Sequence, residues 1–218
     1  MSSGRYRSRK KIVNLDFSKY LIDQTDLEKY ENNLIDLDAF FFSKIESYNL
    51  EIGCGNGHFL LKQALSNRNS FFLGCELKKK IIIKAIKKIE NHKLTTVKFL
   101  RGDILNFLEY LPAKIENVYI NFPDPWPKKR HHKRRLIQQP FLVKIHSLML
   151  KTARLYFVTD NIDYRDFAIM QIKESNLFES LVENFGYLTR LENYPDTLYA
   201  SVFRRENKSI YYMIYSVK

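Results

Sequence analysis

The sequence predicts an α/β fold built on a mostly parallel, seven-stranded sheet with helices on both faces and an antiparallel C-terminal edge. Three observations predict it. Apolar runs of strand length alternate with stretches of helical periodicity through the middle of the chain, making about five βα units. A glycine-rich turn, Gly53-Cys54-Gly55-Asn56-Gly57, joins the first of these runs to a helical stretch. Near the C-terminus the rhythm changes to two strand-like runs with no long helix between them, which suits antiparallel pairing at a sheet edge.

In chain order, the expected strands are Tyr48–Ile52, Ser70–Cys75, Thr96–Leu100, Asn117–Phe122 and Ala153–Thr159. Helical spacing of apolar residues marks His58–Leu65, Lys78–Glu90, Ile104–Leu111, Leu136–Leu150 and Asp163–Ser175. Phe178–Tyr187 and Ser209–Tyr215 supply the final strands. A chain of 218 residues holds one such domain with a full core, assigned here to residues 45–218. Residues 1–44 form a basic N-terminal arm and a leading helix; residues 1–11 carry Arg5, Arg7, Arg9, Lys10 and Lys11 and no acid. The Phe40-Phe41-Phe42 cluster is expected in the core.

Composition narrows the class. A hydrophobic fraction of 45% and a charged fraction of 28% are those of a globular protein, and no run of eighteen apolar residues occurs. The basic N-terminus has no apolar segment behind it, so the expectation is a cytoplasmic protein. Cys54 and Cys75 form neither a disulfide framework nor a metal-ligand spacing, and no metal is expected. Lys and Arg number 36 against 24 acids, a formal charge of +12 that favours a polyanionic partner.

The glycine turn is not a dinucleotide cradle. Its third glycine arrives one residue early, and His58 holds the place of the expected one. Glu51 at the mouth of the turn would repel a pyrophosphate but suits a ligand with a cationic head. Glu76 ends the next apolar run, at an offset where a carboxylate accepts ribose hydroxyls, and Asp103 follows the third strand, where an adenine amino group is read. With Gly53, Gly55 and Gly57, these acids make a nucleoside site, and S-adenosylmethionine, which carries an ammonium and a sulfonium, matches it. Each acid taken singly is also compatible with a helix N-cap or a solvated loop.

After the fourth strand, prolines at 123, 125 and 127 exclude helix and sheet and stiffen a loop that holds Asp124 and the chain's single tryptophan, Trp126. Eight consecutive basic or histidine residues follow, Lys128 to Arg135, placed to track phosphates beside the crevice. Trp126 fits either a base-stacking role or an anchor beneath the loop. His131 and His132 are weaker candidates as general bases, because protonation is disfavoured inside a cationic run.

Taken together, LEIGCGNG at 50–57, GCE at 74–76, RGD at 101–103, FPDPWPKKRHHKRRL at 122–136, FVTDN at 157–161 and TRLE at 189–192 resemble the bacterial tRNA (guanine-N7)-methyltransferase family over residues 45–218. The resemblance implies a Rossmann-like class I methyltransferase fold, S-adenosylmethionine as donor, tRNA as partner and a variable-loop guanine as target. It also implies cofactor-site roles for Glu51, Glu76, Asp103 and Asp124, with Asp124 as the catalytic carboxylate. Lys128, Asp160, Thr189, Arg190, Leu191 and Glu192 are implied as substrate positions. The C-terminal part departs from the pattern: Tyr194 to Tyr199 and Arg204-Arg205 stand where the family carries a more glycine-bearing segment. Two rival classes are a methyltransferase acting on rRNA, DNA or protein, and a non-catalytic RNA-binding module. Monomer and homodimer both remain open.

Overall fold

The computed structural model describes residues 16–30 and 33–218; the basic cluster at 1–11 lies outside them. Its elements are β1 (Leu21–Asp23), α1 (Leu37–Phe41), β2 (Tyr48–Ile52), α2 (His58–Ser66), β3 (Phe72–Glu76), α3 (Lys79–Asn91), β4 (Val97–Arg101) and α4 (Ile104–Phe107). There follow β5 (Ile115–Asn121), α5 (Gln139–Leu148), β6 (Met149–Thr159), α6 (Ile162–Ser175), β7 (Phe178–Ser180), α7 (Leu198–Arg205) and β8 (Tyr211–Val217).

The strands form one eight-stranded sheet in the order β1-β4-β3-β2-β5-β6-β8-β7. All pairs are parallel except β6 with β8 and β8 with β7. The antiparallel edge is therefore where the sequence places it. The strand count is corrected from seven to eight, because Leu21–Asp23 adds a parallel strand beside β4. That strand lies ahead of residue 45, so the sheet reaches across the expected domain boundary. It is too short to register as a periodic pattern. What holds it is tertiary: an ion pair between Asp23 and Arg101 and a hydrogen bond from the Phe99 amide to the Tyr20 carbonyl at 2.7 Å.

Alternation along the strands sends side chains into two layers. In β3, Phe72 joins the cluster formed with α2 and α3, which includes Leu60, Ile82, Ala85, Ile86 and Ile89. Leu73 and Cys75 face the other layer, with Phe107 of α4, Phe141 and Ile145 of α5, and Ala168 of α6. Helices thus cover both faces. Phe41 is core, but Phe42 is 78% exposed. It sits in a left-handed C-cap, its ring 5.1 Å from the Nζ of buried Lys98, which Tyr20 and Phe40 also face.

Several boundaries differ for local reasons. Helix α5 starts at Gln139 rather than Leu136 because Pro140 in its first turn lacks an amide hydrogen and presets the helical φ. The expected strand Phe178–Tyr187 stops at Ser180, and Leu188 rejoins the sheet only as an isolated bridge to Tyr212. Between β7 and β8 lies α7, which the sequence reading omits; Thr197 caps it by accepting from the Ala200 amide at 3.0 Å.

Candidate active site

Six parallel strands end on one edge of the sheet, and the acids singled out from the sequence emerge there in a row. In strand order they are Asp103 after β4, Glu76 at the end of β3, Glu51 in β2, Asp124 after β5 and Asp160 after β6. The chain runs from β2 to β3 and β4 on one side, then returns to place β5 on the other side of β2. Such a reversal, here at the carboxyl ends of β2 and β5, marks the crevice in which open α/β sheets bind ligands.

The glycine turn lines that crevice. Gly53, Gly55 and Gly57 have φ of 75°, 54° and 69°, a region that disfavours side chains. Beyond the immediate chain neighbours, no atom of the described residues lies within 4 Å of where a Cβ would stand at Gly53 or Gly55, so the backbone there faces open space. Gly57 serves packing instead: a Cβ would fall 2.9 Å from that of Ala85, and its absence lets α2 approach α3.

Glu51 is the buried acid of the row. Its Oε1 accepts from Asn121 Nδ2 at 3.0 Å, whereas Oε2 is buried without a hydrogen-bond partner among the described residues. Burial pushes its carboxyl up to about 8, against the Asn121 bond and with the repulsion of Glu76. Glu76 is braced differently, with one oxygen accepting from the Gly55 amide at 3.1 Å and the other from the Lys78 amide at 2.8 Å. Asp103 is exposed and caps α4 through the Leu105 amide at 3.0 Å, the N-cap geometry that a single acid in this position suggests. Gln24, from the N-terminal segment, accepts from the Asp103 amide at 3.0 Å and lies over Gly102.

The proline loop leaves β5 at Phe122, whose φ of 50° turns the chain sharply and whose ring packs against Phe203 and Tyr199 of α7. Asp124 is exposed, three residues past Asn121. Lys129–Arg134 coil into a 3₁₀ turn with exposed cations, and Trp126 lies against this turn, 4.9 Å from the Arg134 guanidinium and 5.9 Å from the His131 ring. Trp126 is thus a half-buried anchor for the basic run. His132 turns to Asp163, with Nε2 at 3.4 Å from the carboxylate.

Arg135 departs from the sequence reading, which counts it with the phosphate-tracking cations. Its side chain is fully buried. The guanidinium donates to the Pro125 carbonyl at 2.9 Å and to the Asp163 carboxylate, and lies 4.9 and 4.8 Å from the rings of Tyr164 and Phe167. Tyr164 in turn accepts from the Leu136 amide at 3.0 Å. The rigid loop is thereby tied to the start of α6.

The other sequence candidates are spread more widely. Lys128 is exposed at the start of the basic turn, and Asp160 is half-buried beside Asn161, which caps α6. Thr189, Arg190 and Glu192 are exposed on the connection from β7 to α7, while Leu191 packs against the small cluster of Val158 and Tyr212. Sequence reasoning missed Asn121, Tyr194 and Gln24. Tyr194 Oη donates to Asn121 Oδ1 at 2.7 Å, and nothing in its local sequence signals that.

A family model described as "Putative methyltransferase" matches residues 46–213. The chain is 32% identical to a tRNA (guanine-N(7)-)-methyltransferase of Clostridioides difficile over 94% of its own length and 95% of the relative. It is 36% identical to the protein of that name in Mycoplasma genitalium, over 70% of this chain and 79% of that one. Among solved structures, an antibiotic-related methyltransferase superposes with TM-score 0.55 at 17% identity, covering 93% of this chain and 98% of that one. An rRNA methylase from Streptococcus thermophilus gives 0.53 at 11%, over 79% and 87%. These last two show the fold alone.

Proposed function

The chain belongs to the tRNA (guanine-N7)-methyltransferase family, and from that premise we propose that it transfers the methyl group of S-adenosylmethionine to N7 of a variable-loop guanine in cytoplasmic tRNA. The observation that carries the reading is the pairing of two features on one sheet edge. One is a buried, half-partnered carboxylate beside an open glycine turn; the other is a stiff acid-bearing loop that leads into exposed cations.

The residues fit the donor. Glu51 Oε2 is an orphaned acceptor inside the fold, and a cationic head would satisfy it. Gly53 and Gly55 leave the space a nucleoside needs, and Gly57 sets the turn. Glu76 is held by backbone amides with lone pairs remaining for ribose hydroxyls, and Asp103 stands at the adenine end. When bound, S-adenosylmethionine supplies a methyl group made electrophilic by the sulfonium.

The chain's own residues then have two tasks. Lys128 and the exposed cations after it bring the phosphate backbone to the crevice, with Asp160 and the Thr189 to Glu192 segment on the RNA side. Guanine N7 already carries a lone pair, so no base is required to create a nucleophile. Asp124 is assigned to stabilise the positive charge that develops on the purine and to orient the ring.

Incubation with labelled donor and bulk tRNA, followed by nucleoside analysis, is expected to place the label in 7-methylguanosine. Label in any other nucleoside, or none, overturns the proposal. Asp124→Asn is expected to lower kcat by about 100-fold, the weight of one electrostatic contact in a transition state. Full turnover in that variant would remove Asp124 from its role.

A further inference from the structure

We propose that Tyr194 is a positioning residue for the donor site: through Asn121 it fixes which way the Glu51 carboxylate is supported, and so couples the C-terminal connection to cofactor binding. This rests on the assignment of Glu51 to the donor. The structural basis is a three-member relay. Tyr194 Oη donates to Asn121 Oδ1 at 2.7 Å, and Asn121 Nδ2 donates to Glu51 Oε1 at 3.0 Å. Glu51 is 2% exposed, and its second oxygen has no partner among the described residues.

An asparagine amide has one accepting end and one donating end, and both orientations fit the same cavity. If the carbonyl faced Glu51, it would repel an ionised carboxylate and favour a protonated one. With the NH₂ group facing Glu51, the ionised form is supported and Oε2 is left free for a cation. The Tyr194 hydroxyl decides between them. Burial, and then the charge of Glu51, push that hydroxyl well above the usual tyrosine range, so it keeps its proton. Among the described residues the Asn121 carbonyl is its hydrogen-bond acceptor, and turning the amide over would leave the proton without one.

Tyr194 is itself held firmly. Its ring centroid lies 5.1 Å from that of Phe59, 5.8 Å from Tyr156 and 5.7 Å from Tyr212. Two residues on, the Asp196 carbonyl accepts from Lys62 of α2 at 3.1 Å, and Thr197 then caps α7. Among the described residues, the titratable groups that face Glu51 are Glu76 from β3, Cys54 from the glycine turn, Tyr119 from β5 and Tyr194 itself, and none of them is a cation. Support for the ionised form therefore comes from the relay.

The test is the affinity of the full-length protein for S-adenosylmethionine, measured by calorimetry between pH 6.5 and pH 9.5. Tyr194→Phe keeps the ring and removes only the hydroxyl. Its affinity is expected to fall about tenfold relative to wild type near pH 7, the weight of one hydrogen bond within a charged network. The ratio of the two affinities is expected to close toward parity by about pH 9.5, because high pH ionises Glu51 in both proteins. Taking the ratio cancels the ligand's own titration. In an Asn121→Ala background, Tyr194→Phe is expected to add nothing. A deficit that is the same at every pH would show a packing role and overturn the proposal, as would no deficit at all. Glu51→Gln separates the two levels: if it binds donor as wild type does, the donor-site assignment itself fails, whereas weak binding in Glu51→Gln with a normal Tyr194→Phe rejects the relay alone.

Discussion

Glu51 carries a cost that the proposed donor-site role explains. Burial places its carboxyl at about 8, against an ordinary value of 4.5. The folded chain therefore holds a proton that the unfolded chain releases between those two values, and stability falls as pH rises through that window. The expected loss between pH 5 and pH 8 is about 4 kcal/mol, from a shift of roughly three units. Glu51→Gln has no proton to lose. In urea denaturation of the cofactor-free protein, the difference between variant and wild type is expected to move in the variant's favour by about that amount from pH 5 to pH 8. Parallel pH profiles would show that Glu51 does not titrate in the native state. The acids of the crevice were legible in the sequence because each sits next to a local landmark, the end of an apolar run or a glycine turn. Tyr194 was not legible, since its partner Asn121 lies 73 residues away and only packing brings them together.

Among the elements, the loop at 122–136 carries the most information, and its stiffness has two sources. Alternate prolines restrict the backbone, which the sequence displays directly. The clamp by Arg135 is the other source, and no pattern of charges distinguishes that residue from the seven basic or histidine neighbours before it. The guanidinium meets a carbonyl, a carboxylate and two ring faces at once, a geometry that a lysine ammonium does not reproduce. Arg135→Lys is expected to lower stability by about 2 kcal/mol. Limited proteolysis is expected to cut this variant near the proline loop before the fold as a whole opens. A wild-type urea midpoint with an uncut loop would mean that the prolines suffice. The elements that went unread were short ones: β1, three residues long, and α7, eight residues long, give too few periods for a hydrophobic pattern to emerge.

The whole molecule has a formal charge of +12, and the structure shows exposed members of the basic run on the same sheet edge as the crevice. If these residues meet phosphates, tRNA affinity depends steeply on salt. Replacing Lys128, Lys129, Arg130, Lys133 and Arg134 with glutamine is expected to make the slope of log affinity against log salt shallower by about 3 to 4, with donor affinity unchanged. An unchanged slope in filter binding would move the RNA to another face. The sequence by itself determined the α/β class, the parallel rhythm, the antiparallel end, and the line of acids and cations around one crevice. Those properties follow from chain-local chemistry: periodicity of two or 3.6, glycines where backbone turns, and residues at strand ends that a parallel sheet must deliver to one edge. Only the tertiary structure decided which cation is buried, which carboxylate oxygen is left without a partner, and that a tyrosine from the C-terminal connection reaches the second strand's glutamate through Asn121. The reason is physical: burial and hydrogen-bond direction are set by groups far apart in sequence, and neither exists until the layers pack.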